Sequence, residues 1–321
     1  MEIPKVKIIK MKVSVALCTY NGEQYLTEQL DSILNQTAAV DEVVICDDGS
    51  SDKTLQILSD YHTKYPDLFR IFQNKTNLGF IKNFEKAIRL CECPVIIISD
   101  QDDVWENNKV SETISFFEKN PQCDGVFHDL KLIDGQIIQP SYLNWKDISH
   151  KDVTSEIENH TLFEALVKKG SFILGCALAI RKEALQKYGM QDFPIAHDYY
   201  IVQKLSSKNK LGFIPASLSS YRLHPNQVYG LRYKSEKREE KKVTDTEKYF
   251  KENVWLYTKI LERYKEINPG EDEKKTAIYS KFINKRDTYL KMLSFGKRKL
   301  YILKCIRHQY LDLMTTDLFR I

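Results

Sequence analysis

The chain has 321 residues, 42% of them hydrophobic and 29% charged, which is enough to bury a core and excludes a disordered composition. Its length fits one large domain or a domain with an appendage, and a formal net charge of +4 is too small to argue for nucleic acid as a partner. No run approaches eighteen apolar residues, so no membrane span is expected, and Lys5, Lys7, Lys10 and Lys12 break up the start where a signal peptide would need an apolar stretch. Seven cysteines with no Cys-x-x-Cys pair offer no zinc spacing and fit a reducing cytoplasm.

In chain order, residues 13–18 form a short β-rich run, followed by Leu26, Leu30, Ile33 and Leu34 on one helical face. Residues 43–46 are a second buried strand ending in Asp47-Asp48-Gly49-Ser50. Ser51 or Asp52 then caps a helix with Leu55, Leu58 and Tyr61 on its apolar side. Residues 69–72 and 95–98 are the third and fourth strands, separated by Phe80, Phe84, Ala87 and Ile88 at helical spacing. Strands alternating with helices predict an α/β fold, a mainly parallel sheet covered on both faces. Further on, residues 125–133 and 136–138 read as a hairpin about Asp134-Gly135, residues 172–180 as an apolar strand, 196–206 as a helix and 213–223 as a strand.

The carboxyl ends of three strands carry polar clusters: Thr19-Tyr20-Asn21, Asp47-Asp48, and Asp100 to Asp103. In open α/β sheets ligands bind beyond those ends. The last cluster is the most informative, because Ile96-Ile97-Ile98 runs straight into three carboxylates within four residues. Like charges so close need a cation or many donors among them. Hard cations such as Mg²⁺ or Mn²⁺ take oxygen ligands and share them with substrate phosphates. An acidic loop or helix N-cap is the plainer alternative.

The order of these clusters resembles family 2 glycosyltransferases of the GT-A fold. The matching runs are Val13 to Gly22, Val43 to Asp52, Asn77-Leu78-Gly79-Phe80, Ser99 to Trp105, His197-Asp198-Tyr199-Tyr200 and Tyr221-Arg222-Leu223-His224, covering about residues 11 to 231. The Ser-Asp-Gln-Asp-Asp-Val-Trp form, with Tyr-Arg-Leu-His downstream, looks most like bacterial rhamnosyltransferases of cell-wall and capsular polysaccharide synthesis. The resemblance implies a GT-A catalytic domain over residues 1–231 and a helical, basic appendage over residues 232–321. Thr19 and Tyr20 at the end of the first strand can hold a pyrimidine base, and the resemblance gives Asp47 or Asp48 the hydrogen bond to the base imide; Asn21 and Gly79 are further donor-binding candidates, and Lys82, as a point charge, either approaches the diphosphate or is an exposed helix lysine. Asp100 is placed near the ribose and Asp103 at the loop or donor sugar, Asp102 and His224 as ligands of Mn²⁺ or Mg²⁺, and Asp198 as the general base of an inverting transfer. His197 is given a supporting role and Arg222 a lesser one toward phosphate, while Trp105 and Trp145 are candidates to stack on sugars. Many relatives read His-Asp-Trp where this chain has His197-Asp198-Tyr199, which bears on donor or acceptor preference.

The expected function is metal-dependent transfer of a sugar from a nucleotide-diphosphate sugar, TDP-L-rhamnose favoured, to a growing bacterial surface polysaccharide or lipid-linked glycan. A UDP-hexose or UDP-N-acetylhexosamine donor, or a non-catalytic assembly subunit, is the alternative. The first strand is followed by neither a Gly-rich phosphate loop nor Gly-x-Gly-x-x-Gly, which disfavours a nucleotidyltransferase and a dehydrogenase. Residues 232–248 read as a charged linker. Between Lys281 and Arg307 nine Lys or Arg stand against one acid, Asp287, with Tyr301, Ile302, Leu303 and Ile306 interleaved. Such a helix can lie on an anionic bilayer, giving a peripheral place at the inner face of the plasma membrane, or can be a solvated helical face.

Overall fold

A computed structural model describes residues 11–225 apart from 170, 191, 194 and 195, and beyond them residues 227 and 277. The chain divides into two compact units, residues 1–157 with 173–224 and residues 158–172 with 225–321. The domain boundary expected at 231/232 and the basic stretch 281–307 lie outside the described residues. In the second unit the described part is mainly α7 (Leu162–Lys169).

The first unit is built on a nine-stranded sheet. Its first half comprises β1 (Val13–Thr19), β2 (Glu42–Asp47), β3 (Phe69–Gln73) and β4 (Val95–Ser99), all paired in parallel in the order β3-β2-β1-β4. The crossovers are α1 (Leu26–Leu34), α2 (Thr54–Lys64) and α3 (Phe80–Leu90). Beyond β4 the order continues through β8 (Leu178–Arg181), β6 (Gly125–Ile133), β9 (Leu211–Arg222) and the short β5 (Val104–Trp105). There β6 and β9 run parallel, while β8 is antiparallel to both its neighbours. The hairpin expected at Asp134-Gly135 is present: β7 (Ile137–Gln139) returns along β6, and Gly135 takes a positive φ of 68°.

Strands β1, β2 and β4 are buried on both faces, which is why they read as continuous apolar runs. Val13, Val15, Leu17, Val43, Ile45, Val95 and Ile97 join Leu26, Leu30 and Ile33 of α1 in one core, with Val110, Ile114 and Phe117 of α4 (Lys109–Lys119). The alternate residues point the other way, where α3 packs on β1 and β2 through Phe84, Ala87 and Ile88. Each fully buried Leu or Ile of this kind contributes about 1.5–3 kcal/mol of transfer free energy.

The expected strand over 172–180 needs correction. Residues Gly175–Ala177 form a single 3-10 turn, and only Leu178–Arg181 pair as strand β8. Within this turn the Cys176 carbonyl accepts the Lys109 ammonium at 2.7 Å. Gly175 also sits so close to His197 that a Cβ there would lie 2.7 Å from Nε2. The helix expected over 196–206 is α9 (His197–Ser207).

Candidate active site

The carboxyl ends of β1, β2 and β4 converge as parallel pairing requires. Thr19 ends β1, and its hydroxyl donates to Asp47 Oδ2 at 2.8 Å across the ladder. Asp47 is fully buried: its Oδ1 accepts the N–H groups of Gly49 and Ser50, and its Oδ2 also accepts the Ser50 hydroxyl. Asp48, equally enclosed, accepts Asn74 Nδ2 at 2.8 Å and Leu78 N–H at 2.7 Å on Oδ1, and Gly79 N–H at 2.9 Å on Oδ2. Of the two carboxylates expected at the base, Asp47 thus holds the turn that follows it, and Asp48 holds the segment leading into α3. Gly79 meets Asp48 with φ at 76°, a left-handed backbone that suits glycine, and then starts α3. Tyr20 is exposed at the site, and Asn21, with φ at 48°, is clamped between Ser50 Oγ and the Ser51 N–H. Lys82 ion-pairs with Glu85 and Asp192 on the flank of α3.

After β4 come the three carboxylates. Asp102 Oδ2 lies 2.9 Å from His224 Nε2, so the expected ligand pair is brought together from positions 122 residues apart. Asp103 is fully buried. Its Oδ1 accepts the Arg222 N–H at 3.2 Å, while its buried Oδ2 receives no hydrogen bond. Ligand atoms of Asp100, Asp103 and Cys176 all lie within 4.8 Å of one another. Burial and then the neighbouring Asp102 charge push the Asp103 carboxyl up to about 7. Burial, Asp103, Asp102 and Asp198 together raise Asp100 well above the ordinary carboxylate range. Asp198, the expected base, lies in the first turn of α9, and its charge adds to the raising of Asp100.

This donor set fits a divalent cation. Asp102 with His224 offers a carboxylate and an imidazole, a pair that suits Mn²⁺ or Mg²⁺, and a cation at this loop would relieve the repulsion among Asp100, Asp102 and Asp103. The Cys176 thiol is raised well above its ordinary value by burial and the adjacent acids. The thiol also hydrogen-bonds the Asp103 carboxylate.

Several contributors were not legible in the sequence. Arg222 braces the acidic loop: Nε donates to the Asp102 carbonyl at 2.9 Å and Nη2 to Glu28 at 2.5 Å, with the guanidinium 4.6 Å above the Tyr25 ring. Tyr25 in turn packs against His224 at 4.9 Å. Lys109, buried beneath, donates to the Cys176 carbonyl and to Ser219 Oγ and lies 4.1 Å from the centre of the Trp105 ring. Burial pushes its ammonium down to about 8 against the pull of the acids. Nothing in Glu106-Asn107-Asn108-Lys109 distinguishes it from a surface helix lysine. His197, expected to support Asp198, is buried and stacks on Phe84 at 4.0 Å, and burial lowers its pKa. Trp105 is a packing anchor at 4% exposure, whereas Trp145 is exposed.

Two solved structures share this architecture. Staphylococcus aureus TarS residues 1–349 with UDP-GlcNAc superposes with a TM-score of 0.58 at 21% identity, covering 91% of this chain and 79% of that one. The mannosyltransferase PcManGT from Pyrobaculum calidifontis, with GDP-Man and Mn²⁺, gives 0.57 at 16% identity, covering 94% and 76%. The fold is thus GT-A, an α/β sheet flanked by helices, and the molecule is a nucleotide-sugar-dependent glycosyltransferase. The model for glycosyl transferase family 2 matches residues 14–189, more than half of the chain, and the chain belongs to that family. Among relatives, an uncharacterized glycosyltransferase of Haemophilus influenzae is 29% identical over 252 residues, 76% of this chain and 74% of that protein. The dTDP-rhamnosyl transferase RfbG of Shigella flexneri is 27% identical over 230 residues, 67% and 73%. Mycobacterium tuberculosis relatives at 24% identity are spanned over 61% of their length. No described helix is long and apolar enough to cross a membrane.

Proposed function

We propose that the chain catalyses inverting, metal-dependent transfer from a nucleotide-diphosphate sugar, TDP-L-rhamnose, to a bacterial surface polysaccharide or lipid-linked glycan at the inner membrane face. The observation that carries the reading is the carboxylate loop Asp100 to Asp103 at the end of β4, with Asp102 against His224 and the loop braced by Arg222. Asp102 and His224 hold Mn²⁺ or Mg²⁺, with Asp100 and Asp103 beside them. When bound, the cation supplies Lewis-acid neutralisation of the departing diphosphate. Tyr20 and Asn21 line the base side, on a floor set by Thr19, Asp47 and Asp48, and Gly79 with Lys82 marks the diphosphate side. Asp198 takes the proton of the acceptor hydroxyl as the new bond forms on the face opposite the diphosphate. Residues 1–231 form the catalytic part and 232–321 a basic helical region that holds the membrane face.

The rhamnosyl donor is supported by the motif Ser99 to Trp105 and by the Shigella relative. A UDP-N-acetylhexosamine donor is the second reading, favoured by the fold shared with TarS in complex with UDP-GlcNAc. Purified protein with Mn²⁺ or Mg²⁺ and a panel of TDP- and UDP-sugars is followed for nucleotide diphosphate release. Release from TDP-rhamnose that Asp102→Ala abolishes is the expected outcome; release from a UDP-sugar alone reverses the donor assignment, and metal-independent release removes the cation role.

A further inference from the structure

Gln101 lies between two acids of the carboxylate loop, yet its side chain serves another loop. Strands β1 and β4 pair in register from Val13↔Val95 to Leu17↔Ser99 and then part. Beyond the last rung the Gln101 carboxamide takes over the ladder. Its Oε1 accepts the Tyr20 N–H at 2.8 Å, and its Nε2 donates to the Tyr20 carbonyl at 3.0 Å. Only a primary amide of this reach satisfies both backbone groups, since a carboxylate has no donor and an alkyl chain has neither partner. Gly22 completes the seat, because a Cβ there would lie 2.3 Å from Gln101 Oε1.

On the far side of Tyr20 the connection continues. Asn21 N–H donates to Ser50 Oγ at 2.9 Å, Ser51 N–H to Asn21 Oδ1 at 2.8 Å, and Gly22 N–H to Thr54 Oγ1 at 2.8 Å. On the near side Asp102 is held by His224 and by Arg222. One neutral side chain thus ties the loop on the base side to the loop that would hold the cation.

We propose that Gln101 is a positioning residue that couples these two loops, so that a cation seated at the acids orders Tyr20 and Asn21 for the base. The inference rests on the donor-site reading above. By linkage, a cation that stabilises one arrangement of the coupled loops strengthens binding of any ligand that needs the same arrangement.

The test uses uridine and thymidine, which carry no phosphate to ligate a metal, so any effect of Mn²⁺ on their binding passes through the protein. Affinities are measured by equilibrium dialysis with and without Mn²⁺ for the full-length wild type, Gln101→Ala and Gln101→Glu, together with thermal unfolding. The expected result is that Mn²⁺ tightens binding of one nucleoside by about fivefold or more in the wild type and less than about twofold in both variants, with the unfolding midpoint retained. An equal Mn²⁺ effect in all three proteins, or no effect or no binding in the wild type, overturns the coupling. UDP and TDP with Mn²⁺ separate the two readings. If neither binds, the donor site itself fails; if they bind while the nucleoside effect is unaltered in the variants, only the coupling fails.

Discussion

Asp198 and Asp47 illustrate how far a single residue can be read. Both are carboxylates next to polar neighbours at the end or start of an element. Asp47 spends its acceptor capacity on Thr19, Gly49 and Ser50, whereas Asp198 accepts the adjacent Tyr199 N–H and adds its charge to the field that raises Asp100. Composition of a motif does not say whether a carboxylate turns to its own backbone or to a ligand; that is set by loop geometry. For Asp198 the consequence is specific. Asp198→Asn keeps size and the bond to Tyr199 but cannot take a proton, so kcat for transfer falls by about 10²–10⁴-fold while donor binding is retained. Steady-state kinetics with direct titration of the donor checks this, and a kcat within threefold of wild type would remove Asp198 as the base.

At the scale of elements, the sheet has two unlike edges. The carboxyl edge gathers acids that repel one another, while the opposite edge carries a satisfied network. There Glu42 accepts Ser14 Oγ, the Glu92 N–H at 2.8 Å and the Arg70 guanidinium, and Arg70 also pairs with Glu92. Burial alone pushes the Glu42 carboxyl up, but the donors from Glu92, Ser14 and Arg70 outweigh it and hold it below its ordinary value of 4.5. A carboxyl depressed in the folded state binds fewer protons there than when unfolded, so its stabilisation is present above about pH 4.5 and lost as pH falls through the folded value. Glu42→Gln is therefore expected to cost about 1–2 kcal/mol at pH 7, with the gap to wild type closing in acid. Urea unfolding at pH 7 and below pH 4 checks it; a gap that is the same at both would show that the charge is not what stabilises this edge. The 3-10 turn at Gly175–Ala177 belongs to the same scale. Its apolar run looks like a strand, but the residues it meets, Lys109 and His197, come from distant positions.

For the whole molecule, the bases between Lys281 and Arg307 set an expectation of their own. The full-length protein should bind phosphatidylglycerol vesicles and not phosphatidylcholine vesicles, with binding that weakens as salt rises. Reversing Lys297, Arg298 and Lys299 to Glu should weaken it by about tenfold or more. Equal cosedimentation with both lipids, or no change on reversal, would assign that charge to a solvated helical face.

What the sequence by itself determined was the alternation of strand and helix, the family resemblance, and the placing of three polar clusters at strand ends. Buried parallel strands, amphipathic helices and strand-terminal acids each leave a local pattern. The Asp102–His224 pair was legible for the same reason, since each residue lies in its own short motif. Only the tertiary structure decided that Arg222 braces the loop, that Lys109 lies buried beneath it, that Asp47 and Asp48 hold loops, and that Gln101 bridges two of them. The roles of Arg222, Lys109 and Gln101 depend on desolvation and on partners at least 67 residues away, which no local pattern encodes.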